Sequence, residues 1–331
     1  MKKFKSALIL LLTGLICTTS ACMGQSTVSY NMFEGSHWLT SPEANIGSID
    51  ETCVYSVVFE ANVPEDENKN FLTAENFVGS LTTRLTKSEY NGKECYKFET
   101  DFSLSGTYYY DDKEHSFTDK ASSEVYLLGL NDKFSPLYSK KYNLSTAPIV
   151  SSNLTEAKFA VMEYQTETVY DLENKKATVK FEGLDKSSEG YKLPNSEREY
   201  ENYAGSNFFD NESLLFVPRA AGFSDQGFSG SFTTIDAMSE KILKMYLSVS
   251  STNPTSDVVL TGANLNGIVG DYTLPTYNAQ ISINDTFSGS AIQLFYAVDT
   301  TTHHRRLLQY KKELAYSAGY LVYTLTSVTV K

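Results

Sequence analysis

The sequence predicts a mainly β protein: a large curved antiparallel sheet, a half-barrel or clam, with one short helical insertion. Three observations predict it. Apolar and polar residues alternate at period two along most of the chain beyond Ile49, the pattern of half-buried strands. Turn-forming Asn, Gly and Asp separate these runs at short intervals, and no fixed repeat length suggests a propeller or solenoid. Tyrosine (23 residues) and phenylalanine (19) stand beside abundant Thr, Ser and Val, a composition that suits strands better than helices. Strands twist with a fixed hand, so a sheet of this length must curl or close, which also protects its edges.

The chain opens with Lys2, Lys3 and Lys5, then an apolar run over 7–16, then Thr19-Ser20-Ala21-Cys22. That is the charged, apolar, small-residue order of a secretory signal. The apolar run is about half of the ~20 residues a membrane-crossing helix needs. Cys22 directly after Ser20-Ala21 resembles the lipobox of bacterial lipoproteins, although Thr19 stands where that family usually has leucine. The resemblance implies a signal peptide over 1–21 and a diacylglyceryl group on the Cys22 thiol, hence a membrane partner reached through the lipid. Ordinary secretion with cleavage near Ala21 is the alternative. Residues 22–48, rich in Ser, Gly, Asn and Pro, read as a flexible tether on which Trp38 and Leu39 can fold back. A single β-rich domain then occupies 49–331.

Charge narrows the partners. The formal net charge is −12, and −15 once the three leader lysines are gone. So acidic a surface repels phosphate backbones and anionic headgroups, which excludes nucleic acid as a partner. Of four cysteines, Cys17 belongs to the leader and Cys22 to the lipid. Cys53 and Cys95 remain as candidates for a disulfide, since export permits one. Against the pairing, Cys53 alternates with Tyr55, Val57 and Phe59 on an apolar face, while Cys95 shares a face with Lys97, Glu99 and Asp101.

Along the domain, 81–90 and 93–104 form a hairpin about Asn91-Gly92, a pair suited to a turn with positive φ at both positions. Its second arm sets Tyr96, Phe98, Phe102 and Leu104 toward a core and Lys97, Glu99, Asp101 and Ser103 toward water. A second hairpin runs through 158–170 and 177–181. Later strands are expected near 242–249, 280–282, 291–298, 307–310 and 320–330. Asp210, followed by Glu212 and the apolar Leu214-Leu215-Phe216-Val217, marks the cap of a short helix that Pro218 and Gly222 limit.

Cys53-Val54-Tyr55-Ser56-Val57, Gly79-Ser80-Leu81-Thr82, the 210–219 insertion, Phe232-Thr233-Thr234-Ile235-Asp236 and Gly319-Tyr320-Leu321-Val322-Tyr323 resemble, in pattern and order, the exported domain-of-unknown-function 3108 family. The resemblance covers about residues 50–331, and 138–155 and 187–203 read as insertions against it. It implies a strongly curved sheet similar to the clam-shaped carriers of lipoproteins, and it carries no catalytic residues.

No catalytic motif stands out, and no cofactor is called for. Gly227-Phe228-Ser229-Gly230-Ser231 has serine where a nucleophile elbow needs its second glycine. Adjacent His303 and His304 point to opposite faces of an extended chain, so they do not share a metal, and HExxH is absent. Asp101, Asp111 and Asp112 beside Tyr108-Tyr109-Tyr110 suggest a sugar groove or, more plainly, a hairpin tip. The expectation is a non-catalytic binding or carrier module for a lipid, apolar ligand or envelope component. Phe208, Phe209, Leu215 and Phe216 on the helical insertion, facing the sheet, are the candidate apolar-ligand residues, and packing of the core is the plainer role for each. The alternatives are a structural lipoprotein that binds an envelope protein and, less favoured, a polysaccharide-acting enzyme.

Overall fold

A computed structural model describes residues 50–61, 73–110, 113–129, 132–150, 157–184, 193, 195–201, 203, 207–220, 228–249, 256–283, 291–298, 305–313 and 319–331. Cys22, Trp38, Asp111, Asp112, His303 and His304 lie outside them. Among the described residues the strands are β1 (Glu51–Ala61), β2 (Thr73–Tyr90), β3 (Lys93–Tyr110), β4 (Lys113–Leu127), β5 (Pro136–Val150), β6 (Ala157–Asp171), β7 (Lys176–Gly183) and β8 (Ser196–Glu201). There follow β9 (Phe228–Asp236), β10 (Lys241–Val249), β11 (Ser256–Leu265), β12 (Ile268–Ser282), β13 (Ile292–Ala297), β14 (Leu307–Glu313) and β15 (Gly319–Val330).

All fifteen belong to one sheet; fourteen follow the order β8-β7-β6-β5-β4-β3-β2-β1-β15-β14-β13-β12-β10-β9, and β11 stands off this path. The first eight are a plain antiparallel meander. First and last strands pair from Glu51↔Val330 to Ala61↔Gly319. β11 joins both β12, antiparallel, and the end of β15, in parallel at Asn264↔Ser327 and Leu265↔Val328. The pairing path β15-β14-β13-β12-β11 therefore returns to β15, so this part of the sheet closes like a barrel, and the meander continues from it through β1.

Local chemistry explains the turns. Asn91 and Gly92 have φ of 51° and 78°, as expected. Asn266 and Gly267 repeat the arrangement at 56° and 88° and build the β11–β12 hairpin, which the alternation reading passed over. The 138–155 stretch, read as an insertion, contributes most of β5, a central strand paired on both edges.

The helical insertion is tighter than an α-helix: 3-10 turns at Asn211–Ser213 and Val217–Ala220. Asp210 caps the first, its side chain accepting from the Glu212 N–H. Pro218, which lacks an N–H, cannot extend an α ladder. The segment lies inside the curl as a plug. Leu214, Leu215, Phe216, Val217 and Ala220 are buried in one core cluster with Tyr55 and Val57 of β1, Phe98 of β3, Val125 of β4 and Tyr296 of β13. A smaller cluster joins Tyr170, Ala177 and Val179 of β6–β7 to Tyr203, Phe208 and Ile235 of β9, so the chain near Phe208 bridges the two ends of the sheet.

The Cys53–Cys95 pairing does not form: both are buried free thiols. Cys53 stands opposite Thr83 and Cys95 opposite Ser88 on the intervening β2. Five residues along a strand is about 17 Å, and a disulfide spans no more than ~7 Å between Cα atoms.

Candidate functional site

The four apolar candidates are structural. Phe216 packs against Phe98 and Phe134 with ring centroids 5.8 and 5.2 Å away. Phe209 meets Phe232, and Phe208 meets Tyr170 and Tyr203. The Leu215 carbonyl accepts from the Tyr296 hydroxyl at 2.9 Å. Interior spaces beside the plug measure about 30 and 20 Å³ and are bordered by Lys141, Asp210 and Glu212 among others. That is room for a water or two rather than an acyl chain.

Those interior polar groups are mutually satisfied. Asp210 accepts from the Tyr170 hydroxyl at 2.5 Å and from Ser139 at 2.6 Å, while Lys141 pairs with Glu212 at 2.8 Å. Burial raises the Asp210 carboxyl above its usual range despite these bonds. They fasten the plug to β5 and β6. A second buried node does the same for β1: Glu51 holds Arg219 at 2.8 Å and Arg306 at 2.7 Å.

The larger opening lies on the other face of β2–β5, a groove of about 300 Å³, the lower end of ligand-site volumes. Its geometry follows from register, which stacks the water-facing residues of successive strands into rows. The middle row is Arg84↔Glu99↔Glu124↔Lys140↔Glu167 across β2 to β6. One pleat away runs Thr82↔Asp101↔Ser122↔Tyr142↔Gln165, and on the other side Thr86↔Lys97↔Tyr126↔Tyr138↔Val169.

Like charges directly opposite each other destabilise a sheet, and Glu99 faces Glu124. Lys97 relieves them, its Nζ 2.8 Å from Glu99 and 2.7 Å from Glu124. Burial opposes the charge on Lys97, but the hydrogen bonds it donates to Glu124 and Glu99 outweigh it and raise its pKa. The same ammonium lies 5.5 Å from the centre of the Tyr126 ring. Tyr126, Tyr90 and Tyr138 pack together, with Tyr90 stacked on Tyr138 at 5.4 Å. Carboxylates of β6 lie beside two tyrosines, and Tyr142 donates to Glu163 at 3.0 Å. Burial first, then the charge and hydrogen bond of Glu167, push the Tyr138 hydroxyl up to about 12.

Of the sugar-groove residues suggested by sequence, Asp101 lines this groove, whereas Tyr108 points the other way and is buried against Phe77 and Phe117. Arg84, Glu124, Lys140 and Tyr142 were not singled out by sequence. Alternation marked the water-facing side of β3, but only the register shows which residues of β2, β4 and β5 stand beside it.

No family model matches the chain, and no curated protein matches it. Among solved structures it is similar to a β-barrel-like protein of a domain of unknown function, DUF1849, from Brucella abortus. Sequence identity is 9%, with 86% of this chain and 98% of that one covered, at a TM-score of 0.48. A likeness this distant transfers no function.

Proposed function

We propose that this chain is an exported, lipid-anchored binding module, fastened to a bacterial membrane through Cys22, that holds an envelope component in the outer groove of β2–β5. The observation that carries the binding site is the charged row Arg84-Glu99-Glu124-Lys140 flooring a groove of about 300 Å³. Three features support the rest. The leader and lipobox-like Cys22 imply export and acylation, the Ser-, Gly-, Asn- and Pro-rich composition of 22–48 suits a tether, and the packed plug speaks against an apolar cargo in the curl.

Glu99 facing Glu124 in a groove also favours a second reading, a polysaccharide-acting enzyme. Such an enzyme needs one carboxyl to donate a proton and the other to act as base or nucleophile. Here one ammonium binds both, which suits a fixed binding surface better.

Two measurements test the proposal. Labelled palmitate should mark the parent chain and not Cys22→Ser. Arg84→Glu with Lys140→Glu should release captured envelope fragments without changing the circular dichroism spectrum. Palmitate on Cys22→Ser, or undiminished capture by the double variant, would sink the corresponding half. Accumulation of cleaved glycan would favour the enzyme instead.

A further inference from the structure

We infer that the groove takes a neutral, hydroxyl-rich glycan chain, several sugar rings long, with the Tyr90-Tyr126-Tyr138 cluster as its apolar edge. The inference rests on the reading of the groove as the binding site and specifies what that site accepts.

Charge removes the ionic ligands. Across the three rows the cations are Arg84, Lys97 and Lys140, and the anions Glu99, Asp101, Glu124 and Glu167. This small negative excess, on a chain of formal charge −12, repels phosphate-bearing polymers. A polycation fares no better, because Lys97 already fills the place between the two central carboxylates and Arg84 and Lys140 flank them. What the groove offers is donors and acceptors side by side. Arg84 and Lys140 donate and Asp101 accepts, and none of the three has an ion-pair partner among the described residues. A hydroxyl both donates and accepts, so a row of hydroxyls satisfies such a surface without carrying charge.

Shape and rings narrow the class further. From Arg84 to Lys140 the row crosses three strand spacings, about 14 Å, longer than one sugar ring. A peptide bound by main-chain pairing would need a sheet edge, whereas β3 and β4 at the groove floor are paired on both sides. The three tyrosines are half-buried, and the carbon face of a sugar ring is the apolar surface that such rings accept. Tyr142 is held by Glu163 and Tyr138 by its stacking on Tyr90 before any ligand arrives, so little freedom is lost on binding.

The test uses the lipidated chain in nanodiscs, allowed to capture cell-envelope fragments and challenged with maltose, cellulose and chitin oligosaccharide ladders, with polyphosphate and with polylysine. At least one neutral ladder should displace the fragments, more strongly as it lengthens. Tyr126→Ala with Tyr138→Ala should weaken that oligosaccharide about tenfold. The Tyr→Phe pair, which keeps the rings, should retain binding, so loss of fold is distinguishable from loss of stacking. Capture that Arg84→Glu abolishes but no ladder displaces overturns the glycan inference and leaves the groove reading standing. Capture indifferent to Arg84→Glu overturns both.

Discussion

Arg219 of the inner plug donates to Glu51 of the first strand across 2.8 Å, although 168 residues separate them in sequence. Arg306, just before β14, completes the node from the other side at 2.7 Å. One carboxylate thus ties together the entry to the domain, the plug and the barrel-like circuit.

Removing that carboxylate should be costly, because two buried guanidiniums lose the charge that sits between them. Glu51→Gln is expected to lose about 3–5 kcal/mol of unfolding free energy, read by urea titration. Glu51→Asp should recover part of it.

The same node has a pH signature. Burial raises the Glu51 pKa, but Arg219 and Arg306 together outweigh it and bring the carboxyl down to about 2. Its unfolded value is about 4.3. Because the folded value is the lower one, the stabilisation is fully present above about pH 4.3 and is lost as pH falls through about 2. Glu51→Gln should therefore flatten the acid limb of the stability curve. An unchanged acid limb would count against the node.

Asp119 behaves in the opposite sense. Burial raises it to about 7, against a hydrogen bond from the Thr146 N–H that lowers it. A carboxyl whose folded value lies above the unfolded one costs stability as pH rises from about 4 to about 7. Asp119→Asn, which still accepts from Thr146, should match the parent near pH 4. At pH 8 it should exceed it by about 4 kcal/mol, measured by thermal melts across that range.

Phe216→Ala should open a cavity between β3 and the plug and cost about 3–5 kcal/mol, since its ring is 2% exposed and touches Phe98 and Phe134. Glycan capture should persist at temperatures where the variant stays folded, because the groove is on the opposite face of β3.

Thiol counting checks the cysteines. Cys53 and Cys95 should resist iodoacetamide in the native protein and both react after unfolding without reductant, as buried thiols whose pKa burial raises. Two thiols that stay unreactive in the unfolded chain until reductant is added would show a bond.

Much of the architecture was legible from alternation alone. The two faces of β3, the Asn91-Gly92 hairpin, the cap at Asp210 and the closing strand near Tyr320–Val330 all follow from local pattern, because side-chain period and turn dihedrals are properties of a few neighbouring residues. For the Phe208–Phe216 segment the pattern leaves both a ligand-lining and a core-packing role open, because an apolar run looks the same whether it lines a cavity or fills one; the structure packs it in the core.

By itself, the sequence determined the class of the fold, the faces of individual strands and the acidic net charge. Tertiary structure alone decided that β11 closes a circuit onto β15, that Cys53 and Cys95 stand apart, and that Arg84, Glu99, Glu124 and Lys140 share one row. The reason is register. Which residue of one strand lies beside which residue of the next depends on every turn and bulge between them, and on a core that forms only when distant strands meet.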